Sequence, residues 1–447
     1  MLLASFGVGL LVAAAGGQEP DQDVVNMVID ALRSNDPQMQ TGAITIARGI
    51  PGEAVTRALA EELPKLSPAI QVQLLAALAD RGDASALPAV IETIKSPDDS
   101  VRIAALNAVG QLGGGRDVPL LAERAVATKG PEQKAAREAL YRLRSPEVDS
   151  VILQAIPGAS ADVKVELIAA VGQRNTGGAI ETLFKTAADE NRRVRLESFA
   201  ALRTVAGPED LPALVNLLLQ VQADADRPEA QKMVAAVAHK IEDKNRQAAA
   251  VLAVLPNVKE AGPRASLLNV LGRIGDNSAL PALQAALTSR EADVRDAAIR
   301  ALSDWPTAEP LPDLLKVAQT AENKVHRVLA LRGVVRLLGL DGSRSSEETV
   351  DLYKKAMDLA GDAAEKKRVL SGLAATKSLA ALNMAAAYLD DVTLYLEAES
   401  AAVRIGQAIY ADYPQQTTEV LQKVIKGTKN DAIRRQAEEV LGRAEPQ

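Results

Sequence analysis

The sequence predicts an all-α protein, a right-handed α-solenoid of about thirteen stacked helical hairpins. Three observations carry this reading. First, a Val-Arg dipeptide keeps returning in one setting: Asp98-Asp99-Ser100-Val101-Arg102, Asn191-Arg192-Arg193-Val194-Arg195 and Ala292-Asp293-Val294-Arg295, with a variant at Val325-His326-Arg327. Val294 and Val325 stand 31 residues apart, and Val101 and Val194 stand 93 apart, three times 31. A period of this size marks stacked units that cannot bury their apolar faces alone. Second, hydrophobic residues make up 47% of the chain but aromatics only 2%, so the core is built from Ala, Leu, Val and Ile, which suits close helix packing. Third, no alternating β-branched run bounded by turn residues is present.

Taken in order, the first 17 residues differ from all that follow. Leu2 to Ala15 is uncharged and apolar or small, Ala13-Ala14-Ala15-Gly16-Gly17 offers a small-residue cleavage context, and a polar stretch begins at Gln18. Residues 1–17 therefore resemble a signal peptide, which predicts export to a periplasmic or extracellular site and a mature start near Gly16 or Gln18. No Lys or Arg precedes the run, and it is too short for a membrane span.

Residues 18–340 read as the repeat array, with 83–113 its clearest unit. Ala86, Leu87, Val90, Ile91 and Ile94 have helical spacing; Ser96-Pro97-Asp98-Asp99 breaks that helix and caps the next. Val101, Ala104, Ala105, Ala108, Val109 and Leu112 form the apolar face of the second helix, which Gly113-Gly114-Gly115 is expected to end through left-handed backbone. Met39 and Ile70 take the Val101 position upstream at 31-residue steps. Downstream the same position is expected near Ala135, Val163, Val194, Ala230, Pro263, Val294, Val325, Lys366, Tyr395 and Ile433. A polar loop, 341–348, then interrupts the array. Residues 347–447 read as further repeats and a cap, and hold five of the six tyrosines: Tyr353, Tyr388, Tyr395, Tyr410 and Tyr413.

The motif Asp-x-x-Val-Arg, Ala-Ala-Leu, Gly-x-Leu/Ile-Gly resembles HEAT repeats of the short class also found in phycobilin lyases and in exported bacterial HEAT-repeat proteins. Gly272-Arg273-Ile274-Gly275-Asp276 with Ala279-Leu280-Pro281-Ala282-Leu283 carries the resemblance most fully, followed by Ala104-Ala105-Leu106 with Gly110-Gln111-Leu112-Gly113. It covers the chain from about residue 24. It implies a superhelix whose second helices line a concave face, and it leaves activity open.

Composition narrows the chemistry. Cysteine is absent, which excludes disulfides, thiolate catalysis and Cys-ligated metals. Two histidines, His239 and His326, cannot build a His-rich zinc site, and neither has Ser or Asp at relay spacing. A net charge of −7 with interspersed signs argues against a nucleic-acid partner. Arg102, Arg195, Arg295 and Arg327 read as a structural ladder, each bonding to an Asp or to carbonyls of a neighbouring repeat; an anion-binding row is the alternative. Trp305, the single tryptophan, reads as cover for a hairpin loop or as a binding platform. With Tyr388, Tyr395 and Tyr410 it completes the candidate partner-binding set. The basic residues Lys423, Lys426, Lys429, Arg434 and Arg435, diluted by acids, read as a solvated face.

The function expected is a non-catalytic scaffold for a protein or peptide partner, with no cofactor and no integral membrane span. A lyase-type or other enzyme using the groove as its active site is the alternative.

Overall fold

A computed structural model describes residues 22–340 and 344–442; the expected signal peptide lies outside the described residues. Among the described residues every regular element is helical, and twenty-six α-helices pair into thirteen hairpins. The chain divides into two compact units between Ala206 and Gly207. The first unit holds six hairpins, from Gln22–Leu32 with Pro37–Ala47 to Ile180–Thr186 with Arg192–Val205. The second holds seven, from Leu211–Gln220 with Arg227–Ala238 to Pro414–Gly427 with Asp431–Gly442.

Each hairpin forms for the reasons legible around Val101. The Asp98 carboxylate accepts from the N–H groups of Ser100 (2.8 Å) and Val101 (3.2 Å), starting Asp99–Leu112. Asn191 and Asn323 cap their own second helices in the same way. Val101, Ala105, Leu106, Ala108, Val109 and Leu112 are then buried. The helix ends without left-handed backbone, contrary to expectation. Gly113 has φ −79°, and its need for glycine is steric, since a Cβ there would lie 2.6 Å from the Val109 carbonyl.

Aligning buried positions gives the repeat register directly. The seat held by Val101, the third residue of its helix, falls in the first unit at residues 70, 101, 132, 163 and 194, each 31 from the last; Val163 is half-buried there and the others are buried. In the second unit the matching seats are Asp226, Pro263, Val294, His326, Glu365, Leu394 and Ile433, in steps from 29 to 39; Asp226 and Leu394 stand just before their helices, and Pro263 and Glu365 are half-buried. Five expected positions are thereby corrected: Ala135 to Glu132, Ala230 to Asp226, Val325 to His326, Lys366 to Glu365 and Tyr395 to Leu394. In four of the five the seat carries a polar side chain, so apolar periodicity slides to a neighbouring residue. Val325 shows the error plainly: it is 56% exposed, whereas His326 beside it is buried.

Successive second helices touch backbone to backbone. A Cβ built on Gly272 would lie 2.5 Å from the Ala301 Cβ, and one on Gly110 would lie 2.7 Å from the Ala139 Cα. These pairs join the ninth residue after one seat to the seventh after the next. At two seams a larger ninth residue meets a glycine: Ser303 faces Gly333 and Val335 faces Gly372, each hypothetical Cβ meeting its neighbour at 2.5 and 2.7 Å. At these joints the two residues share a small volume between them.

The polar loop after residue 340 does not end the stack. The helix Lys324–Leu338 packs on both Ser346–Leu359 and Ala363–Leu373. Ser345 opens that hairpin with a capping box, its Oγ accepting from Glu348 N–H and the Glu348 carboxylate accepting from Ser345 N–H.

Gly272→Ala is expected to destabilise the chain by about 1–3 kcal/mol through overpacking. Adding Ala301→Gly should recover part of that loss, since the Ala301 Cα would still lie 2.7 Å from the added Cβ, a double-mutant cycle readable by urea denaturation. Additive losses would refute volume sharing at this seam.

Candidate interaction surface

The arginine ladder proves to be local bracing. Arg102 Nη1 donates to the carbonyls of Ser96 (2.8 Å) and Pro97 (3.1 Å), six and five residues back. Arg195 reaches Asp189 and Glu190, Arg295 reaches Ser289 and Arg290, and Arg327 reaches Ala321 and Glu322, all between 2.6 and 3.1 Å. Each guanidinium therefore straps the turn of its own hairpin, which corrects the expectation of carbonyls in a neighbouring repeat. Arg434 Nη2 donates to Thr428 O at 2.6 Å in the same way and joins the ladder; it had read as part of a solvated face. Arg102 also crosses to the next hairpin, where its Nε meets the buried Glu132 carboxylate at 2.9 Å. Arg124 Nε shares that carboxylate at 2.7 Å.

A second arginine row, missed in the sequence, does tie neighbours together. Arg174 Nη1 donates to Tyr141 O (2.9 Å) and Leu143 O (2.7 Å), the closing carbonyls of the preceding second helix. Arg81 binds Ala47 O and Ile50 O, and Arg336 binds Ser303 O and Trp305 O, on the same plan. These arginines lie near helix C-termini, where a cation is favoured, but nothing in their local sequence recurs as Val-Arg does.

The candidate aromatic set does not converge. Trp305 is fully buried and its Nε1 donates to Asn277 Oδ1 at 3.2 Å. It covers a hairpin loop and presents no surface, which corrects its place among partner-binding candidates. Tyr353 is also fully buried; burial pushes its phenol up to about 12. Tyr395 and Tyr410 flank the 15-residue helix Tyr395–Ile409 and are half-buried about 22 Å apart along it. Tyr388 shares a turn with Tyr395, the Asp391 N–H donating to Tyr388 O at 3.2 Å and the Tyr395 N–H to Asp391 O at 2.9 Å. Burial, with Asp358 and Asp391 nearby, raises its phenol pKa. Val392, 87% exposed, and Leu396, 40% exposed, adjoin that turn.

The second helices of the first unit each leave a row of residues outward. Outward positions two, six and ten after the seat hold Val72, Ala76 and Asp80, then Ile103, Asn107 and Gln111, then Lys134, Glu138 and Arg142, then Val165, Ala169 and Gln173. Charge concentrates in the third of these sets, at Lys134, Glu138 and Arg142, with Asp80 the one charged residue in the other three. On that third helix Arg137 Nε and Nη2 grip the buried Glu166 carboxylate at 2.7 and 2.6 Å. Burial and then the Glu166 charge hold the Glu197 carboxyl above the usual carboxylate range, opposed by Arg137, Arg203 and Arg193. Burial likewise raises the Tyr141 phenol.

A cleft of about 380 Å³ opens at the first two hairpin turns, lined among others by Arg33, Gln40, Glu62 and Lys65. Its charges are mutually paired, Arg33 and Lys65 both bonding to Glu62, whose carboxyl the Arg33 bond holds below its ordinary range. Among the described residues no group of three His, Asp or Glu side chains could hold a metal ion, and no helix is long and apolar enough to cross a membrane. His239 bonds to Ile274 O, and His326 lies 3.9 Å from Asp296.

Residues 56–141, 149–235 and 248–334 match the family described as HEAT repeats. No curated protein matches the chain. Among solved structures, the karyopherin Kap121p bound to the SUMO protease Ulp1p is similar at 13% identity, with a TM-score of 0.54 over 96% of this chain and 54% of that one. Kap121p alone gives 0.52 at 13% identity, over 93% and 53%. The chain therefore spans about half the length of these structures, and at such identity the likeness is one of fold.

Two outcomes are expected. Arg295→Ala should lower stability by about 1 kcal/mol, through loss of the turn's strap, and leave binding intact; unchanged melting with lost binding would assign Arg295 to a ligand. Glu197→Gln should raise the melting temperature at pH 7 and not at pH 3.5. A carboxyl whose pKa is raised on folding is uncharged in both states at low pH and costs stability as pH rises through its unfolded and then its folded pKa.

Proposed function

Because the chain belongs to the HEAT-repeat family, we propose that it is a non-catalytic scaffold holding a protein or peptide partner on the surface built by its second helices. The observation that carries this reading is that surface. Small and apolar outward residues such as Val72, Ala76 and Ile103 stand beside the amides Asn107 and Gln111 on adjacent hairpins. A partner laid across the hairpins would gain many modest contacts, and the residues that do not repeat would set specificity. The solved relative bound to the SUMO protease Ulp1p is a precedent for a solenoid of this kind engaging a protein.

The apolar first 17 residues lead us to place this role outside the cytoplasm, and a mature chain starting near Gly16 or Gln18 would agree. Crosslinking and pull-down from the native envelope reads partner and N-terminus in one sample. One dominant protein is expected with the wild-type chain. It should be lost with the double variant Ile103→Arg and Gln111→Arg, whose outward sites leave melting unchanged. Retention of that protein by the variant would move the interface elsewhere, and an empty wild-type capture would argue against the scaffold.

A further inference from the structure

We propose that the second helices of the second unit receive an acidic segment of the protein partner on the guanidinium groups of Arg273, Arg300, Arg332 and Arg336. The inference rests on the scaffold reading and names the chemistry of its partner.

The two units differ in how their outward charges are met. In the first unit the charges two, six and ten residues after the seat are all paired: Asp80 with Arg48 at 3.5 Å, and Lys134 and Arg142 with Glu138 at 3.7 and 3.1 Å. In the second unit the hairpins with seats Pro263, Val294 and His326 place Arg273, Arg300, Arg332 and Arg336 at the same positions, all four exposed. Asp296 grips Arg300 at 2.6 and 3.2 Å. Arg336 donates to the carbonyls of Ser303 and Trp305, which leave its charge in place. Arg273 and Arg332 have no hydrogen bond or ion pair among the described residues. Asp304 is the one other carboxylate in these rows, so cations are in excess here on a chain whose net charge is −7.

The seams set these groups side by side. A Cβ on Gly272 would lie 2.5 Å from the Ala301 Cβ, and one on Gly275 would lie 2.7 Å from Pro306, further along in both chains of contact, so the two second helices run parallel. Arg273 follows Gly272 and Arg300 precedes Ala301; Asp304 and Arg332 flank the Ser303–Gly333 joint in the same manner. Moving one residue away from such a joint on each of two parallel helices turns both side chains to the same face. The arginines therefore line one face across three consecutive hairpins, at about 8–10 Å per helix. Guanidinium groups lacking an internal acid pair with carboxylates of a chain laid across them by charge-assisted hydrogen bonds. Ala265, Asn269 and Val328 fill the remaining outward positions with small, amide and apolar groups that suit a peptide. No aromatic ring stands in these rows for a base to stack on, and Asp296 and Asp304 lie among the arginines, which favours an acidic peptide over a nucleic acid.

The test uses the full chain and a labelled peptide of alternating glutamate and serine, so it reads this face whether or not a native partner is captured. Fluorescence anisotropy should show saturable binding that added salt weakens, with a peptide carrying glutamine for glutamate at least about tenfold weaker. The double variant Arg273→Gln and Arg332→Gln, which breaks no internal bond, should melt as wild type and bind the acidic peptide about fivefold more weakly. Lys134→Gln with Arg142→Gln, in the first unit, should leave that binding unmoved. Equal binding of the two peptides, binding of neither, an equal loss in both double variants, or no loss in the Arg273 and Arg332 variant would overturn the proposal. So would tighter binding of a single-stranded oligonucleotide of equal charge, which would assign the face to nucleic acid. Success here with an empty pull-down would leave the acidic-segment site standing and count against the scaffold alone.

Discussion

The distance at which one second helix can approach the next is the constraint on which this protein depends. Close approach requires that the residue facing a neighbouring backbone carry almost no volume, and the chain meets this with Gly110 on Ala139 and Gly272 on Ala301. Everything else follows from that spacing. Helices this close present their C-terminal carbonyls to the following hairpin, and Arg81, Arg174 and Arg336 are long enough to reach them. A core made of short aliphatics with 2% aromatics is the composition such spacing selects, because larger side chains would hold the helices apart. Trp305 and Tyr353 are accommodated at a hairpin loop and against Gly372, whose missing side chain leaves room for the Tyr353 ring.

Polar residues in apolar seats are the second theme. Glu132 takes a place that valine holds in the adjacent repeats and is kept there by two arginines from the hairpin before it and from its own. His326 takes another, within 3.9 Å of Asp296. A buried carboxylate is tolerated only when paired, so such a seat commits a second residue elsewhere. Half-buried Glu197 has its pKa raised by burial and by the Glu166 charge, against the pull of Arg137, Arg203 and Arg193.

Fold class, hairpin count and the position of most turns were legible because they rest on spacing and caps, which are local properties. Asp98, Asn191 and Asn323 announce their helices within three residues. Register was legible only where the seat is apolar: at Val163 and Val194 the reading holds, whereas at Glu132 and Asp226 it slides to the next alanine. The strap made by each ladder arginine was legible as structure but not as geometry, since nothing in Val-Arg says whether the side chain folds back or reaches across. The second arginine row carried no recurring neighbour to mark it. The candidate surface was the least legible part. Outward positions are those where the repeat ceases to repeat, and three dispersed tyrosines could not show that they sit at different ends of one helix.

The exchange of sizes along the seam also acts as an address. Val335 fits against Gly372 but would strike the alanine that other hairpins offer at that place, and Gly333 alone admits Ser303. Thirteen nearly interchangeable hairpins could in principle stack out of sequence, or between two chains, with similar apolar gain. Unequal partners at successive seams make such misordered stacks overpacked at one joint and hollow at the next. The order of the hairpins is thus written in side-chain volume, in residues too small to be noticed for any contact they make.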